Sequence, residues 1–102
     1  MDNDLKLLEQ AEIEERLKEL PGWDFKDDKI FKEYEFHSFN EGLALINKLA
    51  PFFNQMDHHP DMTIKYKKVR FELSRFSVGG KVTERDFTIA EKIEKEYNQL
   101  HN

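Results

Sequence analysis

The sequence of 102 residues contains no cysteine. This absence excludes a disulfide framework, a thiolate metal site and a cysteine nucleophile. No apolar run approaches the roughly 20 residues that a membrane-spanning helix needs. Residues 1–4 lack the basic start and the apolar core of a signal peptide. A cytoplasmic protein without a membrane partner is therefore expected.

Basic residues are in deficit as well. The chain has 16 lysines and arginines against 21 aspartates and glutamates, for a net charge of −5. A nucleic-acid-binding module usually shows a basic stripe, so this balance argues against one. Hydrophobic residues make up 38% and charged residues 36% of the sequence, which is typical of a soluble globular domain. Without a linker or repeat, residues 1–102 are predicted to form a single domain.

Three stretches have the apolar spacing of amphipathic helices. The first covers about residues 7–20 and stops at a Pro-Gly pair, which favours a helix end. The second starts at a capping-box pattern, in which the Ser38 hydroxyl and the Glu41 side chain can satisfy backbone N–H groups, and it runs to about Met56. The third starts at a similar pattern in residues 83–86.

The second predicted helix has two unusual features. Pro51 removes a backbone hydrogen bond inside it, at a cost of about 3 kcal/mol, so a kink or break is expected near residues 49–50. Its apolar residues also form two stripes, which is a wider surface than one buried face needs and indicates contact with another subunit. The second stripe comprises Leu45, Leu49, Phe52 and Met56.

Two pairs of alternating segments predict β-hairpins. Residues 23–25 and 30–36 flank a charged turn with two aspartates, and residues 62–66 and 69–73 flank a predicted turn at Lys67-Lys68. The element order is therefore α-β-β-α-β-β-α, with a flexible loop at residues 77–81 before the last helix. Hairpins separated by helices predict an α+β domain, with a four-stranded antiparallel sheet and three helices packed on one face.

The adjacent imidazoles of His58 and His59 are the main candidates for chemistry. Histidine titrates near neutral pH, so one imidazole could transfer a proton while the other orients a substrate. A structural interpretation stays open, because the helix dipole favours a histidine near a helix C-terminus. A metal site would need Asp57, Asp61 and Asp86 to converge on the pair, and no metal-binding spacing supports it. Asp86 can also act simply as a helix cap.

A series of short motifs is distributed along nearly the whole chain. It comprises Leu20-Pro21-Gly22-Trp23, Phe36 followed by Phe39, His58-His59-Pro60-Asp61, Tyr66, Val69, Leu73, Gly79-Gly80 and Thr83-Glu84-Arg85-Asp86-Phe87. In this order and at these spacings, the motifs resemble those of the pterin-4a-carbinolamine dehydratases, also called 4a-hydroxytetrahydrobiopterin dehydratases.

The resemblance implies the same α+β fold and a hydro-lyase activity. Members of the family remove water from a 4a-hydroxytetrahydropterin to give the quinonoid dihydropterin, in tetrahydrobiopterin recycling, and use no metal or organic cofactor. The implied partner is thus a small-molecule pterin. Members typically form homodimers through sheet edges, often paired into homotetramers through helices. A non-catalytic paralogue, which binds a pterin or a protein, is the alternative function that the sequence leaves open.

The resemblance also assigns roles to individual residues. His58, His59 and Asp86 match the catalytic set, with His58 expected to transfer the proton and His59 to place the pterin. Two positions depart from the family pattern: Asn54 stands where a charged residue is usual, and Phe76 stands where a third histidine is usual. The implied substrate-binding residues are Asp57, His58, His59, Ser74, Arg75, Phe76 and Ser77.

Overall fold

The computed structural model describes residues 6–74 and 81–100. Its helices are α1 (Gln10–Leu17), α2 (Phe39–Met56) and α3 (Glu84–Leu100), and its strands are β1 (Asp24–Lys26), β2 (Lys29–Glu35), β3 (Asp61–Lys65) and β4 (Lys68–Leu73). The strands form one antiparallel sheet in the order β1-β2-β4-β3. The predicted α+β class and the order α-β-β-α-β-β-α are confirmed. The predicted loop at residues 77–81 lies mostly outside the described residues.

The alternation of the central strands creates the core. Every second residue of β2 and β4 faces the helices, and these side chains pack against the apolar stripes of α2 and α3. Burying one such side chain contributes about 1.5–3 kcal/mol, so this layer is the main source of stability. Its most deeply buried members are Ile30, Tyr34, Leu45, Leu49, Phe53, Val69, Phe71, Leu73, Phe87, Ile89 and Ile93.

The two hairpins differ in how well their turns were predicted. Asp27 and Asp28 form the first turn with φ angles of +55° and +62°, in agreement with the predicted Asp-Asp turn. The second turn is formed by Tyr66 and Lys67, whereas Lys68 already belongs to β4, so the prediction of Lys67-Lys68 was wrong by one residue. Tyr66 has a φ of +52°. A tyrosine in a sequence does not predict this left-handed conformation.

Helix α2 begins as predicted and is not broken. The Ser38 hydroxyl accepts the Glu41 N–H at 3.1 Å, while the Glu41 carboxylate accepts the N–H of His37, one residue before the cap. A kink or break was expected near residues 49–50, and the continuity of helix α2 through Pro51 excludes the break. Pro51 and Asn47, whose carbonyl loses its partner, are both exposed, and water can therefore take the place of the missing donor.

The second apolar stripe of α2 packs against the chain's own core, and the subunit contact predicted from it stays a prediction. Leu45 and Leu49 are fully buried in the chain's own core, and the Lys92 ammonium lies 5.5 Å from the centre of the Phe52 ring. The larger apolar exposure lies along β3 and its turn instead, because no described helix covers this edge of the sheet completely. It involves Met62, Ile64 and Tyr66, which are 39%, 42% and 72% exposed. In the described part of the chain, no helix is long and apolar enough to cross a membrane.

A polar network ties α3 to β2. The Tyr34 hydroxyl donates to Glu94 Oε1 at 2.6 Å, the Lys32 ammonium donates to the same oxygen at 2.9 Å, and Trp23 Nε1 donates to the Tyr34 hydroxyl at 2.9 Å. Burial by itself acts to raise the pKa of Glu94, but these hydrogen bonds and the Lys32 charge outweigh it and hold the pKa below its usual range. Burial and the Glu94 hydrogen bond raise the pKa of Tyr34.

Candidate active site

The end of α2 directs the two candidate histidines to different places. Asp57 adopts a left-handed conformation, with φ at 52° and ψ at 44°. Its N–H donates to the Asn54 carbonyl at 3.2 Å, and the His58 N–H donates to the Phe53 carbonyl at 3.1 Å. This pair of bonds is a Schellman motif, which satisfies the last carbonyls of a helix and fixes the exit of the chain. As a result His58 is buried, whereas His59 is exposed.

His58 forms a buried pair with Asp86. The His58 side chain is 7% exposed, Asp86 is fully buried, and Nε2 lies 2.5 Å from Oδ1 of the carboxylate. An ionised carboxylate only accepts hydrogen bonds, so the neutral form of the ring carries its proton on Nε2 and its lone pair on Nδ1. The pairing between the end of α2 and the start of α3 thus sets the imidazole's orientation and tautomer.

Asp86 also acts as the predicted cap. Its Oδ2 accepts the backbone N–H of Thr83 at 2.8 Å, which satisfies one of the N–H groups at the start of α3. One carboxylate therefore holds both a helix terminus and an imidazole, and the two interpretations of the sequence do not exclude each other. The neighbouring Arg85 donates to the Met56 carbonyl at 3.1 Å and strengthens the same contact between α2 and α3.

His59 has a different environment. It is exposed, and its Nε2 lies 2.8 Å from Oδ1 of Asn54. Its ring and the ring of the buried Phe53 make a T-shaped contact, with 6.5 Å between the ring centres and 67° between the planes. The neighbouring histidines are therefore not equivalent: the first is paired with a buried carboxylate and the second with an exposed amide.

The sheet register places Ser74, the one described residue of the second implied pocket segment, at the end of the sheet where β3 begins. Asp61 pairs with Glu72, so the start of β3 lies beside the end of β4. Asp57 is exposed just before this start, and the half-buried Ser74 directly follows β4. The remaining implied binding residues lie outside the described residues: Arg75, Phe76 and Ser77.

Some contacts of the site had no signal in the sequence. The bond between Asn54 and His59 joins residues five apart, a spacing that no helix or strand pattern singles out. Within residues 6–74 and 81–100, no group of three or more His, Cys, Asp or Glu side chains could hold a metal ion. Of the three aspartates that a metal site would need, Asp86 contacts His58, but no third such side chain joins this pair in the described part of the chain.

The fold and the site together define an α+β domain with a histidine–aspartate pair between two helices. Residues 6–96 match the family described as Pterin 4 alpha carbinolamine dehydratase. The chain therefore belongs to the pterin-4a-carbinolamine dehydratase family, as its motifs indicated.

Individual relatives agree with this family. A protein from Sulfolobus acidocaldarius named "Putative pterin-4-alpha-carbinolamine dehydratase" is 43% identical over 88 residues, which cover 86% of this chain and 96% of that protein. A protein of the same name from Streptomyces avermitilis is 41% identical over 87 residues, or 85% and 86% of the two chains. The crystal structure of a transcriptional coactivator/pterin dehydratase from Brucella melitensis superposes with a TM-score of 0.84, at 28% identity, over 89% of this chain and 98% of that chain.

A more distant structure shares the fold alone. It is described as a pterin dehydratase-like protein that is a RuBisCO assembly factor in the α-carboxysome. Its TM-score is 0.58 at 20% identity, over 72% of this chain and 84% of that chain. The same architecture is thus found in a protein described by an assembly role.

Proposed function

We propose that this protein dehydrates a 4a-hydroxytetrahydropterin to the quinonoid dihydropterin in tetrahydrobiopterin recycling. The observation that supports the proposal best is the pair formed by His58 and Asp86 at 2.5 Å, next to the exposed His59. These are the residues that match the family's catalytic set, and the protein belongs to that family. A cytoplasmic location, expected from the sequence, is part of the same proposal.

The reaction needs two proton movements. The bond between C4a and the hydroxyl oxygen breaks as a proton reaches that oxygen, so that water leaves, and a ring nitrogen loses its proton to complete the quinonoid system. An imidazole can do either job near neutral pH. We assign proton exchange to Nδ1 of His58, because Asp86 occupies its other nitrogen. Asp86 orients the ring and stabilises the imidazolium when it forms, as a carboxylate does in other His–Asp pairs.

The exposed His59 is assigned to placing the pterin. It lies directly before Pro60 and β3, at the end of the sheet where Ser74 follows β4. Exposure lets a ligand reach its ring, whereas the buried His58 presents only a small part of its surface. This division of roles between neighbouring imidazoles follows from their different burial.

The test is the rate of carbinolamine dehydration above the rate in buffer. The wild-type protein should accelerate it, and H58A should return the rate to background. F76H should raise the rate by about tenfold or more, because a well-placed acid or base contributes roughly 10²–10⁴ and an unoptimised one less. H37A is the matched control, since the His37 side chain is 81% exposed and belongs to no catalytic assignment. If wild type, H58A and F76H all match buffer while remaining folded, the proposal of a dehydratase fails.

A non-catalytic paralogue is the second candidate. Phe76 favours it, because a phenylalanine cannot transfer a proton at the position where the family has its third histidine. The fold also occurs in the protein described as a RuBisCO assembly factor. Binding of a stable dihydropterin without any acceleration of the reaction would identify this chain as a ligand-binding relative.

We propose as well that the chain forms a homodimer through the outer edge of β3, which no strand of the described residues covers. At the opposite edge of the sheet, β1 has three residues, whereas β3 has five and presents the exposed Met62 and Ile64. Antiparallel pairing of two copies about Thr63 places Asp61 opposite Lys65 and Met62 opposite Ile64. Opposite charges and apolar pairs at such positions each contribute about 0.2–1 kcal/mol. The strand is therefore complementary to itself.

Light scattering at micromolar concentration tests this assembly. The wild-type protein should have the mass of a dimer or of a tetramer built from dimers. I64K should give monomers, because it places a charge in the apolar pair at the centre of the interface. L100K is the matched control, since Leu100 is 37% exposed but lies at the end of α3. A wild-type monomer, or an I64K protein that assembles like wild type, would contradict the proposed interface.

A further inference from the structure

Asn54 stands where the family usually has a charged residue, and it is in contact with a candidate site residue. Its Oδ1 lies 2.8 Å from Nε2 of His59. An amide oxygen accepts hydrogen bonds, so Nε2 of His59 carries a proton and donates it. The ring then keeps its lone pair at Nδ1. The contact therefore selects one of the two tautomers of the exposed imidazole.

The backbone around this contact is fixed on both sides. The Asn54 carbonyl accepts the Asp57 N–H at 3.2 Å, and the Phe53 carbonyl accepts the His58 N–H at 3.1 Å. The two side chains thus start from a single helix end with a defined geometry. The edge contact between the Phe53 and His59 rings adds a second restraint on the imidazole. A bond between two freely moving surface side chains would have neither support.

We infer that Asn54 is a positioning residue, which holds the His59 ring by its Nε2–H and leaves Nδ1 for a bound pterin. The inference rests on the proposed function for the identity of the ligand. It also gives a role to Asn54, which stands where the family usually has a charged residue. A neutral amide accepts the Nε2–H without adding a charge beside the ring, whereas a carboxylate at the same place would stabilise the imidazolium.

The kinetic test compares N54A with N54D. N54A removes the acceptor and should raise KM for the carbinolamine about 3- to 10-fold, with kcat within about twofold, because one hydrogen bond contributes about 0.5–1.5 kcal/mol. N54D keeps an acceptor of the same shape and should restore KM to within about twofold of wild type. N47A is the matched control, since Asn47 is exposed on the same helix about 10 Å away along its axis. An unchanged KM in N54A would overturn the inference.

A second readout does not depend on catalysis. The NMR titration of the His59 ring should move to higher pH by about 0.3–0.7 in N54D, since an exposed ion pair contributes up to about 1 kcal/mol. N47D should move it clearly less, because salt screens charges beyond about 8 Å. Asp57 and Asp61 flank the ring in sequence, but they are the same in both variants and cancel from the comparison.

The two readouts separate the possible failures. If the wild-type protein shows no dehydration, the proposed function fails, and the inference is decided by the titration and by the affinity for a stable dihydropterin. Loss of affinity in N54A, with recovery in N54D, would support it. Equal titration shifts in N54D and N47D would show that the contact does not hold the ring, and would overturn the inference even in an active enzyme.

Discussion

Substitution of Asp86 by alanine is the sharpest test of how this site is built. The carboxylate is fully buried and accepts from both the Thr83 N–H and the His58 ring. Loss of a helix cap costs about 0.5–2 kcal/mol, and a buried donor left without a partner costs about 1–3 kcal/mol. D86A should therefore lower the free energy of unfolding by about 1.5–5 kcal/mol. For a domain of this size, that lowers the melting temperature by at least about 6 °C.

Urea denaturation followed by circular dichroism measures this loss. A double-mutant cycle with H58A isolates the bond between the two side chains, which should contribute about 1.5–3 kcal/mol of coupling. K95A serves as the control, because Lys95 is exposed on the same helix as Asp86. A D86A protein within about 0.5 kcal/mol of wild type, or a coupling energy near zero, would refute the view that Asp86 holds both the helix and the imidazole.

Two further predictions concern the network around Lys32. E94Q should lower the free energy of unfolding by about 1–3 kcal/mol at pH 7. The pKa of Glu94 in the folded state lies below the value of 4.5 for an unperturbed glutamate, so its contribution to stability is present above about pH 4.5 and is lost as the pH falls. The difference in stability between E94Q and wild type should thus shrink at pH 3. A difference that stays constant with pH would contradict the assignment. G22A should lower the free energy of unfolding, measured by thermal unfolding, by about 1–2 kcal/mol, because Gly22 has a φ of +86° and an added Cβ would lie 2.8 Å from Cε of Lys32. A stability equal to that of wild type would show that this turn relaxes.

Local patterns in the sequence predicted most of the fold's elements, although the turn of the second hairpin was placed one residue too late. The α2 cap at Ser38, the Asp-Asp hairpin turn and the start of α3 were all predicted, because each depends on residues within a few positions of one another. The alternation in β2 and β4 likewise predicted these two strands. The motifs at residues 58–61 and 83–86 identified the family and named the candidate histidines.

The tertiary structure decided what local patterns could not reach. His58 and Asp86 are 28 positions apart, and only the packing of the end of α2 against the start of α3 joins them. Adjacent histidines look alike in a sequence, but the left-handed Asp57 sends one into the core and leaves the other exposed beside Asn54. The wide apolar surface of α2 is another example. A sequence shows how much apolar surface a helix carries, whereas only the fold shows that the chain's own core covers Leu45 and Leu49 and leaves the β3 edge open.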